Sequence, residues 1–132
     1  MSVPTPKDVI AGFFADMNAG HPEQAFARLS SDIVYHVVAP EPWGGVLDLA
    51  GLVRTATGVF ERLAAPLQVR VETLVAEGDR VVAEVCGSAP TKRGGLYENK
   101  YLFLYRVADG MIVEAKEYLD SAMYVELVEG RL

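Results

Sequence analysis

Glu117 and Glu84 each fall inside a stretch of alternating residues, on a phase that is otherwise mostly apolar. A carboxylate set into an apolar sheet face is costly unless it is paired or used. Burial also raises its pKa, which suits a general acid or base working near neutral pH. Two such groups in one cavity can divide into an acid and a base. Asp120 is a third candidate, at the end of the last predicted strand. Tyr35, Asn99 and Tyr101 could orient a ligand by hydrogen bonds, Phe103 would line the same face, and Cys86 would add a small apolar wall residue with no base beside it to activate it.

The elements that must position these groups are two hairpins. Leu96–Asp120 reads LYENKYLFLYRVADGMIVEAKEYLD, two alternating segments around Ala108-Asp109-Gly110. A three-residue loop ending in glycine predicts a type I turn with Gly110 at positive φ. Val107 then faces Met111, and further out Tyr105 faces Val113, Phe103 faces Ala115, Tyr101 faces Glu117 and Asn99 faces Leu119. Glu117 is thus either an acid/base group with Tyr101 as donor or a structural carboxylate bonded to Tyr101. Asn99 is telling because strands disfavour asparagine. In the other hairpin, Leu67–Glu77 and Arg80–Ala89 turn at Gly78-Asp79, so that Val71 faces Cys86, Thr73 faces Glu84 and Val75 faces Val82. Glu84 is either a second pocket carboxylate or a partner of Thr73 or Arg54. Asp120 would lie opposite Glu98, where like charges repel, and Asp120-Ser121 is a good helix start. Capping is therefore expected ahead of catalysis.

Ahead of the hairpins, Thr5-Pro6-Lys7-Asp8 predicts a helix start, with Val9, Ile10, Phe13, Phe14 and Met17 at helical spacing and Gly20 as the stop. A short helix from Pro22 buries Ala25, Phe26 and Leu29; Ser30–Asp32 is a turn, and Ile33–Val38 is a strand. If Tyr35 points inward, His36 points out. APEPWGG, residues 39–45, is a loop in which Trp43 is a lid residue, a mouth residue or a dimer contact. A third helix carries Leu49, Leu52, Val53, Ala56, Val59, Phe60 and Leu63, and Ser121–Glu129 forms a last short helix. Helices gathered on one face of an antiparallel sheet make an α+β fold. Long strands covering three N-terminal helices must curl and leave a concave face, and a cone between sheet and helices is a natural small-molecule cavity.

The 132 residues make one domain, 51% apolar and 23% charged. The net charge of −6, with no basic run longer than Lys92-Arg93, argues against nucleic acid and anionic membrane surfaces. No apolar run approaches the ~20 residues of a membrane span. The N-terminus lacks a signal-peptide pattern, and Cys86 is the one cysteine, so a reducing, cytoplasmic setting is expected. No Gly-rich phosphate loop, metal-ligand spacing or Ser-His-Asp pattern occurs, so neither cofactor nor metal is expected.

The order of elements, the strand YENKYLFLYRV, the turn ADG and the segment MIVEAKEYLD before a short helix resemble the nuclear transport factor 2-like (cystatin-like) superfamily. Within it, the chain is most similar to the SnoaL-like, ketosteroid-isomerase-related branch. The resemblance implies a cone-shaped α+β barrel, usually a homodimer, with a pocket between sheet and helices. Ketosteroid isomerases would place their base near Val37, their tyrosine near Phe13 or Phe14, and their acid near Tyr101 or Phe103; none is of the required type. Against limonene-epoxide hydrolases, Tyr35 and Glu117 match two positions, whereas Glu84, Cys86 and Val37 depart. Asp120 matches the acid/base aspartate of the polyketide cyclases. The reading is a small apolar-ligand pocket protein, using cofactor-free acid/base chemistry if it is an enzyme; the alternative is a non-catalytic binding or dimerisation module. The outer hairpin face, with Leu102, Leu104, Ile112 and Tyr118 among charges, is the expected homodimer contact.

Overall fold

Thr5 starts the first helix as its neighbours imply: its hydroxyl accepts from the Asp8 amide at 3.1 Å, and Pro6 takes the first helical position. The structure, a computed structural model, describes residues 3–132. Helix α1 (Pro6–Asn18) stops where Gly20 takes a φ of 80°. Then come α2 (Pro22–Phe26), β1 (Leu29–Val38), β2 (Gly45–Leu47), α3 (Leu49–Glu61), β3 (Gln68–Glu77), β4 (Arg80–Pro90), β5 (Leu96–Ala108), β6 (Met111–Leu119) and α4 (Ser121–Val128). Two elements depart from expectation. Leu29 does not belong to the second helix but begins β1, and Ser30–Asp32 is not a turn but part of that strand, at an irregularity between Leu29 and Val34. The end of the Pro/Gly loop forms β2, which pairs Gly45–Leu47 with Tyr35–Val37.

The strands form one curved, unclosed sheet in the order β2-β1-β6-β5-β4-β3. Only β1 and β6 run parallel; the other pairs are antiparallel. The expected α+β architecture is the one observed. Helix α1 lays Val9, Ile10 and Phe14 on the concave face, against Val81, Ala83 and Val85 of β4 and Phe103, Tyr105 and Val107 of β5. A second cluster of Leu63, Ala89, Tyr97 and Leu127 closes the end beneath α4. Ile10 and Ile112 are wholly buried, each contributing about 1.5–3 kcal/mol by removal from water.

The β5–β6 turn is tighter than predicted. Asp109 and Gly110 both take positive φ, 52° and 77°, and Ala108 pairs with Met111. Such a two-residue turn matches the twist of the strands better than a type I turn does. The register then shifts beyond Val107–Ile112, and Arg106 pairs with Glu114. Farther out, Phe103 faces Glu117 and Tyr101 faces Leu119. Glu117 therefore has Phe103, not Tyr101, across the ladder. The offset from the expected register is even, so these residues keep their face. The bulge does turn Ile112 inward, contrary to its expected place on the outer face.

The β3–β4 ladder has the expected pairs near its turn, Thr73 with Glu84 and Val75 with Val82. A shift between Val71 and Thr73 then sets Val71 opposite Val85 and Arg70 opposite Cys86. The core side of β4 is Val81, Ala83 and Val85; Glu84 and Cys86 lie on the other side. Both phases of β4 are apolar, so alternation alone did not distinguish them. Water decides: Glu84 is solvated on the outer face, where its charge costs little.

Asp120 is the N-cap of α4, its carboxylate accepting from the amides of Ala122 (3.1 Å) and Met123 (3.4 Å). The residue is exposed. Asp120→Ala is expected to lower stability by about 1 kcal/mol in thermal denaturation and to leave ligand binding in the cavity unchanged.

Candidate functional site

The concave face of the sheet and helices α1, α3 and α4 enclose a cavity of about 140 Å³. Its wall is apolar, from Phe13 and Phe14 on α1 to Leu52, Ala56 and Val59 on α3. Five of the chain's six tyrosines, Tyr35, Tyr97, Tyr101, Tyr105 and Tyr124, also line it. Glu117 is the one carboxylate among the lining residues. A similar volume in an engineered protein cavity holds benzene, so the space suits one ring.

Glu117 reaches the cavity because β6 alternates and Ala115 and Glu117 share the inner face. The parallel pairing of β1 sets Tyr35 beside Ala115 and Val37 beside Glu117. From there the Tyr35 hydroxyl donates to Glu117 Oε1. No lysine or arginine among the described residues forms an ion pair with Glu117. Burial raises its pKa, and the Tyr35 bond, which favours the ionised form, only partly opposes that. The cavity tyrosines respond to the same environment. Burial, followed by the Glu117 charge, drives Tyr35 and Tyr105 well upward. Tyr101 is raised by burial and then by neighbouring Tyr97. Burial pushes Tyr97 up to about 12. All of these hydroxyls keep their protons at neutral pH.

Of the residues singled out from sequence, Glu117, Tyr35, Tyr101 and Phe103 come together around the cavity. Tyr101, Phe103 and Tyr105 stack along β5 with ring centroids 5.5 and 5.4 Å apart. Tyr35 faces inward and is buried; His36 points outward. Asn99 is buried behind the wall rather than in it, and bonds to Tyr97 and to the β6–α4 junction. Glu84 accepts from Thr73 at 2.9 Å on the exposed face, one of the two roles its sequence allows. The Cys86 thiol donates to Glu72 at 3.3 Å, also outside the cavity. Trp43, in the turn Pro40–Gly44, is half-buried and does not line the cavity. Tyr97, Tyr105, Tyr124 and Thr55 line it without having been singled out. The signal for two of them was present: Tyr97, Tyr101 and Tyr105 recur at even spacing along one strand and so share a face. Met17, Phe60 and Leu67 line both this cavity and an adjoining surface groove of about 320 Å³ between the ends of α1 and α3, and so form its mouth. No cluster of His, Cys, Asp and Glu among the described residues suits a metal ion. Among the described residues, no helix is long and apolar enough to cross a membrane.

Residues 10–115 match the SnoaL-like domain family. The chain belongs to this family. Its fold recurs in AclR from Streptomyces galilaeus, described as a possible hydroxylase, at 20% identity and a TM-score of 0.81 over 99% of both chains. It recurs in IdmH from Streptomyces antibioticus, a proposed polyketide cyclase, at 23% identity and a TM-score of 0.76 over 94% of this chain and 98% of that one. TerC, crystallised with polyporic acid, shares it at 21% identity and a TM-score of 0.76 over 95% and 99%. A comparison with curated protein sequences finds no significant match. At such identities the likeness carries the fold, and the chemistry of this SnoaL-like chain must be argued from its own residues.

Glu117 has a folded-state pKa above its unfolded value of about 4.3. Its contribution to stability is therefore full below that value and declines as pH rises through the folded pKa. Gln cannot ionise, yet its side-chain oxygen can still accept from Tyr35. Thermal denaturation should show Glu117→Gln more stable than wild type by a few degrees at about pH 7, with the gap closing below about pH 4.

Proposed function

We propose that this SnoaL-like protein binds a small, largely apolar ligand in its cavity and transfers a proton to or from it through Glu117, without a cofactor. The observation that carries this reading is the placement of Glu117: a carboxylate at an apolar wall, bonded to Tyr35 and free of any cationic partner among the described residues. An Arg or Lys locked to Glu117 would have favoured a structural role instead. Burial brings its pKa toward the range in which a base is both ionised and able to take a proton. Ionised, Glu117 would accept a proton from the ligand; once neutral, it would return that proton elsewhere on the same molecule. Isomerisation, cyclisation and water addition are reactions of this type, and the proposed polyketide cyclase IdmH shares the fold.

The cavity sets a size limit. One ring fills it, and a longer ligand would extend past Met17, Phe60 and Leu67 into the groove outside. With Glu84 and Asp120 elsewhere, Glu117 has no second carboxylate in the cavity. That observation favours the second reading, a ligand-binding module without turnover.

The outer sheet face supports a homodimer as the assembled form. Val38, Tyr118 and Leu102 follow one another across adjacent strands and are each more than two-fifths exposed. The composition argues for small molecules as partners rather than nucleic acid or membranes, and for a cytoplasmic setting.

Ring-sized ketones, epoxides and lactones form the panel that tests the reading. For any substrate found, Glu117→Gln should lower turnover by at least about 100-fold with affinity changed only a few-fold. Ligands that bind both proteins tightly but are turned over by neither would favour the binding module. Sedimentation at micromolar concentration should give a dimer that Leu102→Lys converts to monomer; a wild-type monomer would remove the dimer.

A further inference from the structure

Asn99 has no hydrogen-bonding capacity left over. Its side-chain oxygen accepts from the amides of Lys100 at 2.8 Å and Asp120 at 3.0 Å. Its nitrogen donates to the Asp120 carbonyl at 3.1 Å and to the Tyr97 hydroxyl at 2.8 Å. The two backbone amides dictate which end of the side chain is oxygen, so the nitrogen must face Tyr97. The Tyr97 oxygen is thereby an acceptor, and the Tyr101 hydroxyl lies 2.7 Å away. By distance either hydroxyl could donate to the other; but if Tyr101 donated, the Tyr97 proton would have no protein partner on a residue only 1% exposed, whereas Tyr101 is half-buried. An unmet buried donor carries its full desolvation penalty, so the Tyr97 proton goes to Tyr101. Donation then runs one way, from Asn99 to Tyr97 to Tyr101. The free end is the Tyr101 proton, on a half-buried residue that lines the cavity.

The Tyr101 ring is also held in place. It stacks on Phe103, and a Cβ at position 87 would come within 3.1 Å of its Cε2 atom, so Gly87 on the neighbouring strand leaves the space it uses. Tyr35 directs its own proton to Glu117 and is not available in the same way. Tyr105 and Tyr124 line the cavity without the Asn99–Tyr97 chain behind them.

We propose that Asn99 and Tyr97 are positioning residues that make Tyr101 a fixed hydrogen-bond donor into the cavity, which thereby selects ring-sized apolar ligands bearing a carbonyl oxygen. The proposal rests on the cavity being the ligand site, as argued above, and refines it by naming the ligand class. It is a binding role and requires no covalent step. A chain of donors polarises its terminal hydroxyl, so Tyr101 should bond an acceptor more strongly than an isolated phenol would. A ketone, whose oxygen only accepts, meets this donor directly.

Acetophenone and ethylbenzene, similar in shape but differing in the oxygen, separate the possibilities without any need for turnover. With isotope-labelled acetophenone bound, infrared difference spectra should show the carbonyl stretch below its frequency in an apolar solvent. Tyr101→Phe should return it to that frequency, Tyr97→Phe should leave a smaller shift, and Tyr118→Phe, on the outer face of the sheet, should change nothing. Acetophenone should bind roughly fivefold tighter than ethylbenzene, and Tyr101→Phe should erase that preference. Equal binding of both probes with an unshifted carbonyl would overturn the donor while leaving the cavity as a ligand site. A shift that survives Tyr101→Phe would overturn it too. Saturable binding of neither probe would overturn the cavity reading and the donor together.

Discussion

The site depends on how a carboxylate is held at the wall of an apolar cavity. Glu117 has no cationic partner among the described residues, and desolvation works against its charged form. What opposes that is one hydrogen bond, from Tyr35. The bond joins β1 to β6, the one parallel pair in the sheet, and exists only because that pairing sets Tyr35 beside the small Ala115, within reach of Glu117. The curvature of the sheet, the packing of α1 on its concave side and the closure of the end by α4 all keep water scarce around this pair. A more open cavity would return Glu117 to ordinary carboxylate behaviour.

Much of this was legible in the sequence because side-chain alternation survives errors of register. The β5–β6 turn is a residue shorter than its composition suggested, and a bulge follows it, yet the combined offset is even. Tyr101, Phe103, Tyr105 and Glu117 therefore kept their shared face although every expected partner changed. The bulge reversed Ile112, which local alternation had placed outside. In β4 alternation carried no information, since Val81, Ala83 and Val85 on one side are matched by Val82 and Cys86 on the other. The hairpin register alone places Glu84 on the inner face, whereas its charge is the better guide to the solvated one. Tyr35 as the partner of Glu117 was beyond local pattern, because the two are 82 residues apart and meet through a parallel pairing that no turn announces. Asn99 is unusual for a strand; its reason is the β6–α4 junction, where its side chain bonds both the amide and the carbonyl of Asp120 beside their backbone bonds to Lys100 and Tyr124.

This SnoaL-like chain has a cavity between sheet and helices that is lined by a particular set of groups. The positions that resemblance assigns to a ketosteroid isomerase trio hold Val37, Phe13 or Phe14, and Tyr101 or Phe103. The aspartate that matches the polyketide cyclases, Asp120, caps a helix. In their place stand one buried glutamate and five tyrosines. Tyrosines whose pKa values burial raises do not exchange protons at neutral pH, so they define polarity and shape while Glu117 is left as the group able to titrate. A shared fold does not fix the chemistry of its cavity, which depends on the side chains its strands present.

The most direct measurement is a carbon NMR titration of the Glu117 carboxyl in the wild-type protein, assigned with Glu117→Gln and repeated in Tyr35→Phe. The account predicts that Glu117 titrates above the ordinary glutamate value of about 4.3 and that removing the Tyr35 hydroxyl moves it higher still. Titration at or below that ordinary value would mean a solvated or cation-paired carboxylate, and would contradict the central claim.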